Sequence, residues 1–240
     1  MNFIIVGIFL LLLSQFNFVF PQKSMINFHN AEAFISNFDS DYSVQNSSIS
    51  TLYGFQLKMG IMSSRSTEIQ IDLGLIEYPN NLSLFKFAIS PFYRNKNILI
   101  GASYSYAWLE KLTSHSISAN IESYESDLLS AVGSLNYEFY NLGGDQFAAE
   151  LFLLIYPSDY FMISSGASLA QNDFKQTDID VIVRIEWLPP LFEKNNFSMY
   201  GQWGGNYIQQ TSFGIKLYFG LYKSLKTNHR QNGFYSSRFK

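Results

Sequence analysis

Residues 98–108 read ILIGASYSYAW and alternate two kinds of side chain along the whole stretch. Ile98 and Tyr104 belong to an apolar or aromatic set, while Gly101 and Ser103 belong to a small or polar set. A period of two places such sets on opposite faces of a β-strand. The same period returns within residues 53–61, 68–75, 85–90, 135–139, 147–155, 161–168, 178–187, 197–207 and 212–219. The sequence therefore predicts an all-β protein of about ten strands, with eight or twelve as alternatives.

Strand length and composition favour a barrel that crosses a membrane. The predicted strands run for roughly 9–13 residues, whereas a membrane-crossing strand needs about 9–11 and a strand in a globular sheet averages about five or six. Aromatic residues make up 18% of the chain and charged residues only 15%, against roughly a quarter charged in soluble proteins. Mean hydropathy is 0.00, which does not fit a helical membrane protein. We predict an antiparallel up-and-down transmembrane β-barrel.

Alternation alone does not decide which face meets water, because a soluble barrel points its apolar set inward and a membrane barrel points it outward. The polar set is rich in small residues, such as Gly54, Ser105, Gly166 and Gly214, where a soluble surface would carry more Lys and Glu. Aromatic residues gather towards strand ends, as in a girdle at a lipid interface. They are Tyr53, Phe55, Phe92, Tyr93, Tyr104, Tyr106, Trp108, Tyr137, Phe139, Tyr140, Trp187, Trp203, Tyr207, Tyr218, Phe219 and Tyr222. Both features favour the membrane barrel over a soluble periplasmic barrel that binds a ligand.

The N-terminal residues predict export. Residues 3–13, FIIVGIFLLLL, have the length of a signal-peptide core, so residues 1–22 are assigned as a signal peptide; an uncleaved anchor or a buried strand is the alternative. Residues 23–48 are interpreted as a periplasmic lead-in or partial plug, although they could equally supply an extra strand. The barrel is assigned to residues 49–222. Within it, residues 110–126 break the pattern and are the longest candidate loop, which could also fold into the lumen or form an additional strand.

A membrane barrel would collect charged side chains of both signs inside. Unpaired charges are costly away from water, so these residues are expected to pair across strands and to fill much of a small lumen. The predicted lumen charge network consists of Lys58, Asp72, Lys86, Glu138, Glu150, Asp180, Arg184, Glu186 and Lys216.

The last predicted strand carries a motif of its own. Residues 212–219, SFGIKLYF, place Ser212, Gly214, Leu217 and Phe219 in the order polar, glycine, apolar, aromatic. This resembles the C-terminal insertion signal of bacterial outer-membrane proteins. The resemblance implies an outer-membrane location, a lipid environment and recognition by the barrel-assembly machinery during insertion. Such signals commonly end the chain, whereas here about 20 residues follow.

The residues after that strand carry a second resemblance. Leu217 to Gly220, LYFG, followed by KSL and then His229-Arg230, is similar to the ending of a group of small proteobacterial outer-membrane barrels without a settled activity. The similarity spans about 15 residues and implies location rather than function. Residues 223–240 form a basic tail, which we assign to the periplasm and expect to be solvated.

The sequence offers little for catalysis. The net charge of −3 gives no basis for binding nucleic acid, and the absence of cysteine excludes disulfides and thiolate metal sites. His115 lies between Ser114 and Ser116, but adjacent positions do not face each other as a nucleophile and its base must. The carboxylate pairs Asp178/Asp180 and Glu122/Glu125 are explained by strand alternation and by a solvated loop, respectively. No catalytic residue, metal site or cofactor is therefore predicted.

We accordingly expect a non-enzymatic outer-membrane barrel with a structural or narrow-pore role. About ten strands leave little open space, since water-filled porins use about 16–18. The alternatives are a surface adhesin or envelope-polymer binding protein, the soluble periplasmic barrel, and a membrane-embedded hydrolase. The oligomeric state stays open.

Overall fold

A computed structural model describes residues 26–40, 50–62, 66–78, 82–172, 177–189, 197–205, 208–219 and 224–231. The predicted signal peptide, residues 1–22, lies outside the described residues. Within them, no helix is long and apolar enough to cross a lipid bilayer.

The described chain forms a closed antiparallel barrel of twelve strands, in which neighbours along the chain are neighbours in the sheet and β12 pairs with β1. The strands are β1 (Ile26–Ser40), β2 (Ser50–Met62), β3 (Thr67–Glu77), β4 (Ser83–Arg94), β5 (Ile98–Leu109), β6 (Leu112–Ser123), β7 (Leu129–Tyr140), β8 (Gln146–Ser158), β9 (Phe161–Asn172), β10 (Thr177–Trp187), β11 (Phe197–Gly205) and β12 (Ile208–Tyr218). A short helix, α1 (Leu225–Gln231), follows. The even strand number brings the start of β1 and the end of β12 to the same end, which we call the terminal end; the other is the distal end.

The all-β barrel is confirmed, but the main expectation of about ten strands is wrong; twelve was one of its alternatives. One added strand, β1, occupies much of residues 23–48, so that over residues 26–40 this segment is a barrel strand and not a lead-in or plug. The other, β6, occupies most of the expected loop 110–126. Both have weak hydropathy contrast: Ala31 and Ala33 alternate with polar residues in β1, and a histidine and a threonine share the outward face of β6. Pairing along both edges overrides this weak local signal.

Side-chain exposure shows which face is outward. Large apolar side chains are exposed on strands all around the barrel, and Leu151 is 62% exposed near the middle of β8. On the same strand, inward-facing Phe152 and Leu154 are buried. The outward set, which includes Tyr53, Leu73, Phe87, Ile100, Trp108, Ile117, Leu135, Leu153, Val181, Ile185, Trp203 and Phe213, forms an apolar band. This is the polarity of a membrane barrel.

Aromatic rings cluster on the outward face near the distal end. Phe85 stacks on Trp108 with ring centroids 4.7 Å apart, and His115 stacks on Phe139 at 5.1 Å. The hydroxyl of Tyr104 lies 2.7 Å from Nδ1 of His115. These rings suit a girdle at the lipid headgroups. Two residues assigned to the girdle, Phe92 and Tyr218, are instead buried inside the barrel, because they share the inward face of their strands with polar residues.

Large inward rings lie over glycines of the neighbouring strand. Tyr200 on β11 is paired in register with Gly214 on β12, and a Cβ added to Gly214 would lie 2.4 Å from Cζ of the tyrosine. The same arrangement joins Phe34 to Gly54 and Phe152 to Gly166. The small residues of the polar face therefore make room for inward aromatic rings.

Candidate functional site in the barrel lumen

All nine charges of the predicted network occupy inward positions, but only some of them meet. Arg184, Glu186 and Lys216 lie together and are buried. Lys58 is paired in register with Asp72, which accepts a hydrogen bond of 2.7 Å from Gln70. Of the remaining four, Glu150 accepts a hydrogen bond of 3.1 Å from Ser134. Lys86, Glu138 and Asp180 are half-buried on β4, β7 and β10, and none of them belongs to the Arg184 group. The network as a whole stays a prediction.

Glu186, near the terminal end of β10, is the centre of the group that does form. Its Oε1 accepts hydrogen bonds of 2.6 Å from the hydroxyls of both Ser198 and Tyr218. Its Oε2 lies 3.2 Å from Nη2 of Arg184 and 3.9 Å from Nζ of Lys216. The side chain is 0% exposed. These four hydrogen bonds and charge contacts offset the cost of burying an ionised carboxylate.

Glu32 on β1 completes the group. One of its carboxylate oxygens lies 3.2 Å from Nζ of Lys216, and the other lies 3.7 Å from Nη1 of Arg184. The guanidinium of Arg184 also stacks over the ring of Tyr200, 3.6 Å from its centroid. We call Glu32, Arg184, Glu186 and Lys216 the lumen charge cluster. Its two acids and two bases are balanced, and they join three strands, β1, β10 and β12, on one wall of the lumen.

The opposite wall is polar and carries mostly hydroxyl and amide groups. On β6, the inward side chains from Ser114 to Glu122 are Ser114, Ser116, Ser118, Asn120 and Glu122, and all five are polar. They bond to inward polar groups on both neighbouring strands. Ser116 lies 3.0 Å from Ser105 and donates to Asn136 at 3.0 Å; Ser118 contacts Ser103 and accepts from Asn120 at 3.0 Å. We call this set the β6 polar strip.

Helix α1 lies at the terminal end and reaches into the barrel. Ser224 caps it, because its hydroxyl accepts the backbone N–H of Thr227 at 3.1 Å. Leu225 is 0% exposed and packs with Tyr156 and other apolar residues of the barrel. The basic tail was expected to be solvated, and for residues 224–231 this is wrong. A buried apolar residue and partners on the barrel hold the segment in place.

His229 links α1 to the lumen charge cluster. Its Nε2 lies 3.4 Å from Oε2 of Glu186, and its Nδ1 lies 3.0 Å from the hydroxyl of Tyr156. With the proton on Nε2, the neutral imidazole donates towards the carboxylate and accepts from the tyrosine. Burial lowers the pKa of His229 below its usual range, although the nearby Glu186 works in the opposite direction. The neutral form is therefore the one that the docked helix favours.

The other basic residues of α1 bind the β6–β7 connection. Nζ of Lys226 donates to Oδ1 of Asp127 at 2.8 Å, and this bond lowers the pKa of the aspartate. Arg230 donates to the carbonyl of Ser126 at 2.8 Å and lies 4.5 Å over the ring of Tyr124. Burial raises the pKa of the Tyr124 hydroxyl, so it stays protonated at neutral pH.

No family model and no curated protein matches the chain. Solved structures do match its fold. The KdgM porin in complex with disordered oligogalacturonate has a TM-score of 0.60 and 11% identity, with 80% of this chain and 99% of that chain covered. The NanC porin gives 0.58 and 7%, covering 80% and 100%. An outer-membrane channel from Pseudomonas putida F1 gives 0.56 and 9%, covering 79% and 94%.

The chain has the fold of bacterial outer-membrane β-barrels. The three solved structures named above are described as porins or channels. Inside the barrel, Ser114 and Ser116 face the lumen while His115 faces outward among aromatic rings, so the triplet cannot act as a nucleophile and base. Among the described residues, no group of three or more His, Cys, Asp or Glu could hold a metal ion.

The barrel also contains inward residues that sequence reasoning missed. Glu32 and His29 lie in the segment interpreted as a lead-in, and His29 is in hydrogen-bond contact with Glu68 of β3. Glu122 was treated as part of a solvated loop, yet it is fully buried on β6. The alternation of Glu32 with Ala31 and Ala33 is the one signal that could have revealed β1. The insertion-signal residues Ser212 and Gly214 face inward on β12, the strand that closes the barrel, and their role in insertion stays a prediction.

Proposed function

We propose that this protein is a narrow, non-enzymatic channel for small polar solutes or ions across the outer membrane. The observation that carries the proposal is the β6 polar strip, in which every inward position from Ser114 to Glu122 is polar. A barrel with a purely structural role has no need for a polar path along its whole height, because apolar packing would stabilise it better. Hydroxyl and amide groups spaced along the wall can instead exchange hydrogen bonds with a passing solute or its water.

The width of the barrel supports a narrow path. Twelve strands enclose less space than the 16–18 strands of water-filled porins. The lumen charge cluster and the inward rings of Phe34, Phe92, Phe152 and Tyr200 occupy part of that space. We therefore propose a lumen that is largely filled by side chains and passes small solutes only.

The charge balance argues for weak selectivity between anions and cations. Arg184 and Lys216 are each paired with Glu32 and Glu186, so these bases are not free to line a path for a polyanion. For this reason we do not propose that this chain binds oligogalacturonate, the ligand in the KdgM complex. The exposed apolar band disfavours the soluble periplasmic barrel, because such a surface would face water. The adhesin is disfavoured because distal connections such as residues 110–111 and 141–145 are short and offer little binding surface.

Conductance of the full-length protein in planar bilayers tests the proposal. We expect small discrete steps, and we expect Ser118→Phe to reduce them because the ring would enter the β6 polar strip. The matched control is Ile117→Phe on the same strand, whose side chain is exposed on the outward face and whose replacement should leave the steps unchanged.

Two results would contradict this function. A large, steady conductance would show an open lumen rather than a narrow one. Equal conductance of the two phenylalanine variants would show that ions do not follow the β6 polar strip.

A further inference from the structure

We propose that helix α1 is a releasable plug that closes the terminal end of the lumen and must undock before solutes cross. This inference rests on the proposed channel function. Its first support is position: α1 contacts barrel residues on several sides of that end, with Leu225 N–H donating to the carbonyl of Asp159 at 2.7 Å and Arg230 donating to Ser126.

The apolar anchor of the plug is a single side chain. Leu225 is 0% exposed and belongs to a cluster with Phe152, Leu154, Met162 and Leu188. Burying one leucine favours the docked state by roughly 10- to 150-fold. An anchor of this size holds a seven-residue helix in place without making its release prohibitively slow.

The polar contacts of α1 combine one buried bond with exposed ones. His229 lies between Tyr156 and Glu186 inside the barrel. Lys226, in contrast, bonds the exposed Asp127 at the rim, and exposed ion pairs contribute little because water and salt screen them. The helix is therefore held by the leucine and the histidine.

Asn228 is the observation that points to release. Its side chain is 0% exposed when α1 is docked, and neither Oδ1 nor Nδ2 has a hydrogen-bond partner among the described protein residues. A buried polar group without a partner destabilises the state that buries it. Undocking returns the amide to water, so this residue opposes the leucine on the same helix. A permanent closure would be better served by an apolar residue at this position.

Two substitutions should therefore act in opposite directions on the full-length protein. Asn228→Leu removes the buried amide and should lower the open probability in planar bilayers about 10-fold, the change expected for one polar group of this kind. Leu225→Asn removes the anchor and should raise it about 10-fold or more. Thr227→Ala is the control, since Thr227 is half-buried and, among the described residues, its side chain bonds only Ser224 of the same segment.

A second readout reports the plug without relying on conduction. The chain has no cysteine, so Ser164→Cys introduces a single thiol on the lumen face of β9, where Ser164 is 1% exposed. Its labelling by a membrane-impermeant maleimide should become faster in the Leu225→Asn background and slower in the Asn228→Leu background. Heat-modifiable gel migration of each variant confirms that the barrel is folded.

The outcomes separate this inference from the channel function. Opposite shifts of labelling and of conductance support both. If the wild-type protein conducts but neither substitution shifts labelling or conductance, α1 is not a plug and the channel function stands. If labelling shifts while no variant conducts, α1 closes the lumen and the channel function is wrong. If Leu225→Asn fails to fold, an unchanged labelling rate in Asn228→Leu is enough to overturn the plug.

Discussion

Replacing Gly214 with alanine tests how tightly the inner wall of the barrel is packed. A Cβ at this position would lie 2.4 Å from Cζ and Oη of Tyr200, whereas ordinary contacts are 3.4–4 Å. The ring must therefore move by about an ångström. It is the far end of a side chain and could swing, but the guanidinium of Arg184 stacks 3.6 Å from its centroid. Moving the ring disturbs the lumen charge cluster as well.

The magnitude follows from two opposing effects. Forcing extra volume into a packed interior costs about 1–3 kcal/mol, while replacing a strand glycine with alanine gains about 0.5–1 kcal/mol of backbone entropy. Gly214→Ala should therefore lower the free energy of unfolding by up to about 2.5 kcal/mol. Gly74→Ala is the matched control on β3. Its new Cβ would lie 3.5 Å from Cβ of Lys86, an ordinary contact. Gly74→Ala should therefore only raise the free energy of unfolding, by about 0.5–1 kcal/mol.

Urea unfolding of the barrel in lipid vesicles measures these changes. The fluorescence of Trp108, Trp187 and Trp203, all exposed on the outward face, changes when the lipid environment is lost. The same substitution in a Tyr200→Ala background isolates the clash, because without the ring the loss should disappear. Equal stability of the two alanine variants, or an undiminished loss without the ring, would refute the packing argument.

Three further predictions concern the plug, the lumen and the lipid face. Acidification below the usual histidine pKa of 6.5 should speed maleimide labelling of the Ser164→Cys thiol. Burial lowers the pKa of His229 in the docked helix, so protonation of the histidine favours the undocked helix. His229→Gln should abolish this pH dependence. The charged side chains that face His229 are those of Glu186, Lys216 and Arg184. Glu32→Gln leaves two buried bases with one carboxylate and should cost about 3–5 kcal/mol in urea unfolding. Leu151→Arg, near the middle of the lipid face, should cost about 2–4 kcal/mol in the same assay, whereas Leu142→Arg in an exposed turn should change little.

Strands with strong contrast between their faces could be predicted from sequence, and strands with weak contrast could not. Residues 98–108 alternate rings and aliphatic chains with glycine and serine, and the structure places them in β5. In β6, Thr113 and His115 share the outward face with Ile117, so hydropathy changes little from one residue to the next. Backbone pairing with β5 and β7 stabilises β6. This pairing involves residues outside β6, so the local sequence pattern of the strand does not reveal it.

The sequence could predict which charged residues face the lumen but not which of them pair with each other. Alternation identified Arg184, Glu186 and Lys216 as inward, yet it could not bring β1 next to β12, and that closure is what places Glu32 beside Lys216. Charge pairing across a barrel depends on register, and a shift by one residue would turn every inward side chain outward. The sequence alone therefore predicts a set of charges and not a network.

The C-terminal segment shows the same limit most clearly. Its last turn carries His229 and Arg230, and its first turn has no acidic residue, so as an isolated sequence it resembles any solvated basic tail. Its partners lie far away in the chain: Asp127 is 99 residues from Lys226, and Ser126 is 104 residues from Arg230. The acid that His229 reaches, Glu186, is already held by Ser198 and Tyr218 of the last two strands. A docking place for α1 therefore exists only in the assembled barrel, where Leu225 and His229 find their partners.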